Sequence, residues 1–236
     1  MKIAITGHTS GIGEAILDIL TLTGGFDMPV ISGGFEEDRL EIKCYSRSNG
    51  WNLAENNGAL LIEELLDFNP DIFFNNAWHP GVQNTLCKKL HTKWKDQHKV
   101  IANTGSITAY VPHTILDENN VYAQDKKALA EYCVQQSFMY PYKNKCRLIN
   151  FSWGFVETGI VSSGDKVSKE ALIDAMGAAE IMISHAEDAW ARKERWTQPE
   201  VIINSLYYDE DEQQRTFSSA ARGVAKHLIK TKKLGN

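Results

Sequence analysis

Residues 2–20, KIAITGHTSGIGEAILDIL, constrain the fold more than any other stretch of the chain. A short apolar run, KIAIT, enters a turn with glycines at 7, 11 and 13, and then Ile12, Ala15, Ile16, Ile19 and Leu20 fall on one stripe at helical spacing. A strand that passes through a glycine turn into a helix presents the first helical N–H groups to the turn, where they and the helix dipole favour negative charge. Glycine lets the backbone bend sharply there and approach a pyrophosphate. Gly24 and Gly25 are placed to end the helix.

The alternation continues downstream. Leu40, Ile42 and Cys44 interleave with polar residues in a second strand at 40–45, and Leu60, Leu61, Leu65 and Leu66 predict a helix over 54–68. Asn69-Pro70 marks a turn before the strand DIFFN at 71–75; GVQNTLCKKLHTKW then reads as a helix and KVIANTG, at 99–105, as a strand. A helix opening near Tyr122 stops at Pro141, CRLINFS (146–152) is a strand, and a helix at 169–185 precedes a strand at 199–204. Strands alternating with helices predict a single α/β domain over 1–236, a Rossmann-like, doubly wound parallel sheet covered on both faces. A helix at about 217–231 is expected to finish the chain, but the segment 26–39 and the tail at about 206–236 have no assigned role.

Composition excludes several classes. With 25 basic against 30 acidic residues and a net charge of −5, the chain does not suit a nucleic acid, and the basic stretch KKLHTKWKDQHK (88–99) reads as a solvated helix face. Met1 leads directly into the first strand, and no run approaches the roughly 18 apolar residues of a membrane span, so a soluble, cytoplasmic protein is expected. Cys44, Cys87, Cys133 and Cys146 form no C-x-x-C pair and read as reduced and structural. The histidines lack ligand spacing, so no metal is expected.

The turn TGHTSGIG differs from the general G-x-G-x-x-G fingerprint and resembles that of the short-chain dehydrogenase/reductase family. Other segments extend the resemblance to about residue 160. NNAW (75–78) is similar to the family's Asn-Asn-Ala-Gly, IANTGSITA (101–109) to its serine-bearing segment, YAQDK (122–126) to its Tyr-x-x-x-Lys pair, and FSWGFVETG (151–159) to its Pro-Gly-x-x-x-Thr segment. Residues 170–205 agree in pattern only.

The resemblance implies an NAD(P)-dependent oxidoreductase whose cofactor lies along Thr6, Gly7, Thr9, Ser10, Gly11, Ile12 and Gly13. An acid after the second strand would bond the ribose hydroxyls of NAD, but CYSRSNG offers none there. Ser46 and Arg47 suit a 2′-phosphate instead, with His8 and Thr9 able to share the contact, so NADP(H) is preferred and NAD(H) remains possible. Asn52 and Leu53 would meet the adenine. So few residues separate them from Arg47 that the sheet is expected to be one strand short at this edge. Asn76, Ala77 and Trp78 would lie beside the adenosine ribose, and Trp153, Gly154, Val156 and Thr158 near the nicotinamide. Trp78 stands where glycine is usual and Trp153 where proline is, which would make the pocket narrower and more aromatic.

The catalytic set implied is Ser106, Tyr122, Lys126 and Asn84. Tyr122 and Lys126, at i and i+4, share a helix face. The ammonium and the positive nicotinamide of an oxidised cofactor would lower the phenol's pKa from about 10. Ser106, or Thr108 in its place, would hold the substrate oxygen, and Asn84 would relay protons from the lysine through water. The substrate would be a small carbonyl or alcohol, covered by a lid at about 159–200, in a homodimer or homotetramer joined through the helices carrying Asn84 and Tyr122. Two other readings share these residues. One is a nucleotide-sugar reductase or epimerase, suggested by the short passage to WNL; the other is an NADP(H)-binding sensor without turnover, suggested by the two tryptophans.

Overall fold

Each strand sends successive side chains to opposite faces, and here both faces are apolar, so the sheet must be covered twice. The computed structural model describes residues 1–22, 40–111, 120–139, 144–157, 172–191 and 199–203. Its strands are β1 (Lys2–Thr6), β2 (Glu41–Tyr45), β3 (Ile72–Asn75), β4 (Val100–Thr104), β5 (Arg147–Trp153) and β6 (Glu200–Ile203). Its helices are α1 (Gly11–Leu22), α2 (Ala59–Phe68), α3 (Val82–Trp94), α4 (Val121–Met139) and α5 (Ala175–Ala191).

All six strands are parallel, in the order β2-β1-β3-β4-β5-β6. The order reverses between β1 and β3, and in sheets of this kind the space beyond the carboxyl ends at such a switch is where ligands bind. Between β2 and α2 the chain makes two short 3-10 turns and no strand, and β2 is an edge of the sheet among the described residues. The expected strand deficit is therefore seen. The fold is the Rossmann-like α/β sheet the sequence predicts.

Ile3, Ile5, Ile72, Phe74, Ala102, Ile149 and Phe151 pack toward α1 and α5, against Ile16, Leu20, Met182 and Ala186. Their neighbours Ala4, Phe73, Ile101 and Leu148 pack toward α2, α3 and α4, against Leu65, Leu86, Leu90, Leu129 and Cys133. The four cysteines are free thiols. No helix among the described residues is long and apolar enough to cross a membrane.

Two helices differ from expectation. The segment predicted as helical from 54 begins as a 3-10 turn, Glu55–Gly58, and α2 proper starts only after Gly58, whose φ of 70° breaks the helical path. Leu60 then faces solvent, at 58% exposure, whereas Leu61 and Leu65 are buried. The helix predicted at 169–185 instead starts at Ala175, where the Asp174 carboxylate accepts from the Gly177 amide at 2.9 Å, and it runs on to Ala191. Ala178, Met182, Ala186 and Ala189 carry its buried stripe to that end. Gly24, Gly25, Pro141, the segment 26–39, Thr158, residues 159–171 of the expected lid and the tail at 206–236 lie outside the described residues.

This phase of α2 is testable. Leu65→Ala, at a fully buried site, is expected to cost about 2–5 kcal/mol in chemical denaturation, and Leu60→Ala to stay within about 0.5 kcal/mol. Equal costs would place α2 in a different rotation.

Candidate active site

The carboxyl ends of β1, β3 and β4 are cross-tied by side chains. Thr6 Oγ1 donates to the Phe74 carbonyl at 3.3 Å and accepts from the Asn76 and Ala77 amides at 2.9 and 3.1 Å. Asn76 donates to the Gly7 carbonyl at 3.2 Å and accepts from Thr104 Oγ1 at 2.9 Å. Thr6, Gly7, Asn76 and Ala77 therefore form one rigid corner. Gly7 sits at φ 69°, in the left-handed region, and a Cβ on Gly13 would overlap the Gly7 carbonyl. The glycine turn is thus folded onto the first turn of α1, whose leading N–H groups lack intrahelical acceptors. Thr9 and Ser10 are exposed, and Gly11 and Ile12 open the helix.

The Gly7 amide donates to the Tyr45 carbonyl at 2.8 Å, which brings the end of β2 beside this turn. Ser46 and Arg47 follow directly. Ser46 Oγ lies 2.7 Å from Ser48 Oγ, and Arg47 is exposed at the start of the 3-10 turn. Asn52 accepts from the Ala54 amide at 3.2 Å and donates to Glu55 at 2.9 Å, so its carboxamide shapes the next turn. Trp51, Asn52 and Leu53 line an open groove of about 730 Å³ with Glu55, Glu63 and Asp67 on its wall.

The chemical end of the site is built on α4. Lys126 is 2% exposed, and its Nζ donates to Gln83 Oε1 at 2.8 Å and to the Thr104 carbonyl at 2.6 Å. Burial pushes its pKa down from 10.5 to about 7, against the opposing charge of Asp125. Tyr122 lies on the same face, its ring centroid 5.2 Å from Nζ, and Ser106 is near enough to its hydroxyl to favour the phenolate. Thr108 donates to Ser106 Oγ from both its amide and its hydroxyl, at 3.3 and 3.0 Å, so Ser106 is the hydroxyl at the phenol and Thr108 its support.

In the protein without cofactor, the lysine's share of the expected lowering of the phenol's pKa does not appear. Burial raises that pKa, and Ser106 only partly pulls it back. The physical reason is that the lysine's hydrogen bonds go to Gln83 and Thr104, while the phenol has lost water.

Asn84 makes no direct hydrogen bond to the lysine. Its amide donates to the Asp125 carbonyl at 2.9 Å, and its buried Oδ1 has no partner among the described residues. The neighbour Gln83 bonds the lysine directly, and sequence reasoning missed it. One residue on a helix is a rotation of about 100°, and the apolar positions Val82, Leu86 and Leu90 would have set the phase. Asp125 was missed as well: its carboxylate accepts from Trp78 Nε1 at 3.2 Å and the Gly81 amide at 2.7 Å, tying the β3–α3 loop to α4.

The two tryptophans part company. Trp78, 38% exposed, stands edge-on to Tyr122 with centroids 5.0 Å apart. Trp153 is 2% exposed and stacked on Phe151 in the α1/α5 core layer, so the expected second pocket ring is absent from the cleft. Its place in β5 explains this, since it shares strand parity with Phe151 and Ile149. Beyond it the Gly154 amide donates to the Ile203 carbonyl at 2.8 Å, and Val156 bridges to Ile173. Among the described residues no group of three or more His, Cys, Asp or Glu could hold a metal ion.

No family model matches the sequence and no curated protein matches it. Solved structures do. An alcohol dehydrogenase from Thermococcus sibiricus, complexed with 5-hydroxy-NADP, superposes with a TM-score of 0.62 at 16% identity over 89% of this chain and 98% of that one. A 3-alpha-hydroxysteroid dehydrogenase from Pseudomonas sp. B-0831, complexed with NADH, gives 0.62 at 16% identity over 87% and 96%. A short chain dehydrogenase from Burkholderia cenocepacia J2315, in complex with NADP, gives 0.62 at 16% identity over 97% and 96%. The fold is that of the short-chain dehydrogenases. At 16% identity, the likeness is one of architecture.

The lysine gives a thermodynamic prediction. Its pKa of about 7 when folded lies below the unfolded value near 10.5, so between these the unfolded chain binds more protons and stability rises with pH. The Tm of the wild type minus that of Lys126→Met should therefore increase from about pH 7 to about pH 10. A flat difference would mean that Lys126 is solvated.

Proposed function

We propose that this chain is an NAD(P)(H)-dependent oxidoreductase that interconverts a small carbonyl compound and its alcohol, with NADP(H) preferred. The observation that carries the reading is the meeting of Ser106, Tyr122 and Lys126 at the end of β4, across from the glycine turn. Neither half is distinctive alone. Together they place a proton donor beside a backbone cradle that suits a dinucleotide.

The cradle fits such a cofactor. Gly7 and Gly13 keep the turn free of side chains, and the amides opening α1 face it, as a pyrophosphate requires. Thr6, Gly7, Thr9, Ser10, Gly11, Ile12 and Gly13 would hold the phosphates. Asn76, Ala77 and Trp78 would hold a ribose, and Gly154, Val156 and the Trp153 backbone the carboxamide. Arg47 and Ser46 would meet a 2′-phosphate at the end of β2, and Asn52 and Leu53 the adenine. The cofactor, when bound, supplies or takes up the hydride.

The protein moves the proton. Ser106 Oγ, held by Thr108, donates a hydrogen bond to the substrate oxygen and keeps it at Tyr122. In reduction the Tyr122 hydroxyl gives its proton to that oxygen as the C–O bond becomes an alcohol; in oxidation the phenolate takes it back. Lys126, charged and aligned by Gln83 and Thr104, favours the phenolate that forms. A raised phenol pKa in the free protein suits the donor role, since the proton is present at neutral pH.

Tyr122→Phe is expected to lower turnover at least about 10²-fold while leaving cofactor binding unchanged in a tryptophan-fluorescence titration. Unchanged turnover would remove Tyr122 from the mechanism. Arg47→Ala should weaken NADPH binding about tenfold or more and spare NADH, because a charged hydrogen bond to phosphate is worth about 1.5–3 kcal/mol. Equal losses would show that Arg47 does not read the phosphate, and tight cofactor binding without turnover of any carbonyl would favour a sensor.

A further inference from the structure

An ammonium has three N–H donors and no acceptor. At Lys126 two of the three are committed inside the protein, one to Gln83 Oε1 at 2.8 Å and one to the Thr104 carbonyl at 2.6 Å. Gln83 has no freedom to withdraw. It is 2% exposed, and its Nε2 donates to the Asn75 and Thr104 carbonyls at 2.7 and 3.1 Å. With its nitrogen facing two carbonyl oxygens, the carboxamide cannot flip without setting acceptor against acceptor, so Oε1 must face the lysine. The Gln83 carbonyl accepts from Asn75 Nδ2 at 3.0 Å and fixes the backbone as well.

We infer that Gln83 is a positioning residue that holds the Lys126 ammonium in its charged form and leaves it a single N–H for any ligand. With one donor left, the lysine can hold a cofactor hydroxyl or a water, and not both. A proton reaching Tyr122 through Lys126 would have to displace Gln83 or Thr104, so the phenol is reprotonated from the open side of the site, past Trp78. The groups that face the lysine are few: Asp125 is the charge acting on it, Tyr122 the titratable neighbour on its own helix, and Gln83 and Thr104 the neutral oxygens from α3 and β4.

The kinetic part rests on the proposed reading of Tyr122 and Lys126; the coupling of Gln83 to the lysine does not. The test uses two variants that change the partner oxygen in opposite ways. Gln83→Met keeps the volume and removes the acceptor, so the ammonium is lost at lower pH. Gln83→Glu supplies an anionic acceptor and keeps it to higher pH. The alkaline limb of the pH–kcat profile should therefore move down by about one pH unit in Gln83→Met and up by about one in Gln83→Glu.

The same shifts are read without turnover from the dependence of Tm on pH in the cofactor-free protein. Lys126 lowers stability while charged, so the rise in Tm with pH should begin at lower pH in Gln83→Met and at higher pH in Gln83→Glu. A structural role alone would lower Tm in both variants at every pH and leave the limbs in place, which overturns the inference, as would limbs moving in the same direction. If Gln83→Met does not fold, Gln83→Glu decides, and a wild-type Tm–pH curve in that variant overturns the inference. Opposed Tm shifts in a protein with no detectable turnover would uphold Gln83 and count against the oxidoreductase reading.

Discussion

The site is organised around a charge that has been taken out of water. Removing an ammonium from solvent is costly unless oxygens replace the lost hydration, and Lys126, at 2% exposure, has two placed for that purpose. Supplying them constrains three elements at once. β4 must end with the Thr104 carbonyl free of the ladder, α3 must begin with Gln83 turned toward the sheet, and α4 must run close enough for a four-carbon stem to reach both. Asp125, the next residue back, does a different job: its carboxylate gathers the Trp78 indole and the Gly81 amide. Two adjacent charged residues thus fix α4 to different partners, one to the sheet and the other to the loop before α3.

The strand ends show the same economy in polar groups. Asn75, Asn103 and Asn150 stand in register on β3, β4 and β5, with Glu200 next to them on β6. Asn75 donates to Asn103 at 2.8 Å, and Asn150 donates to the Glu200 carboxylate at 2.9 Å. Burial raises the Glu200 pKa to about 7, while the Asn150, Ser152 and Tyr110 hydrogen bonds oppose the shift. The row marks where the apolar α2/α3/α4 layer gives way to polar chemistry. Below it lie Phe73, Ile101 and Leu148; beyond it come Asn76, Gly105 and Ser106, where the backbone leaves the sheet and can meet a ligand.

Much of this was legible in the sequence because it depends on spacing. Period-two and period-3.6 patterns gave, in order, the six strands and five helices of the described residues, besides a helical tail that lies outside them, and the short interval from Arg47 to Leu53 foretold that β2 is an edge among the described residues. Tyr122 and Lys126 were singled out by resemblance to a family motif, supported by IANTGSITA, and the i, i+4 spacing added only that they share a helix face. What failed depended on rotation and burial. Gln83 and Asn84 are chemically interchangeable on paper, and only the packing of α3 turns one to the lysine and the other to Asp125. Trp153 was readable in principle, since its parity with Ile149 and Phe151 sends it into the core, but resemblance to a pocket segment outweighed parity. The direction of the Tyr122 shift was not readable, because it reflects how much water the phenol loses.

Trp78 shows how a departure from pattern can be absorbed. Six residues, 76–81, carry the chain from β3 into α3, and the loop ends at Gly81 with φ 71°. A glycine at 78 would leave this short loop tied to α4 by the Gly81 amide alone. The indole adds a second tie through its N–H to Asp125 and an aromatic edge contact to Tyr122, at 5.0 Å. Such contacts orient a ring as well as bury it. The Tyr122 ring is therefore flanked by Trp78 on one side, while Ser106 acts on its hydroxyl from the other. The exposed part of the indole lies beside Tyr122, so the residue that ties the β3–α3 loop to α4 also borders the open side of the phenol.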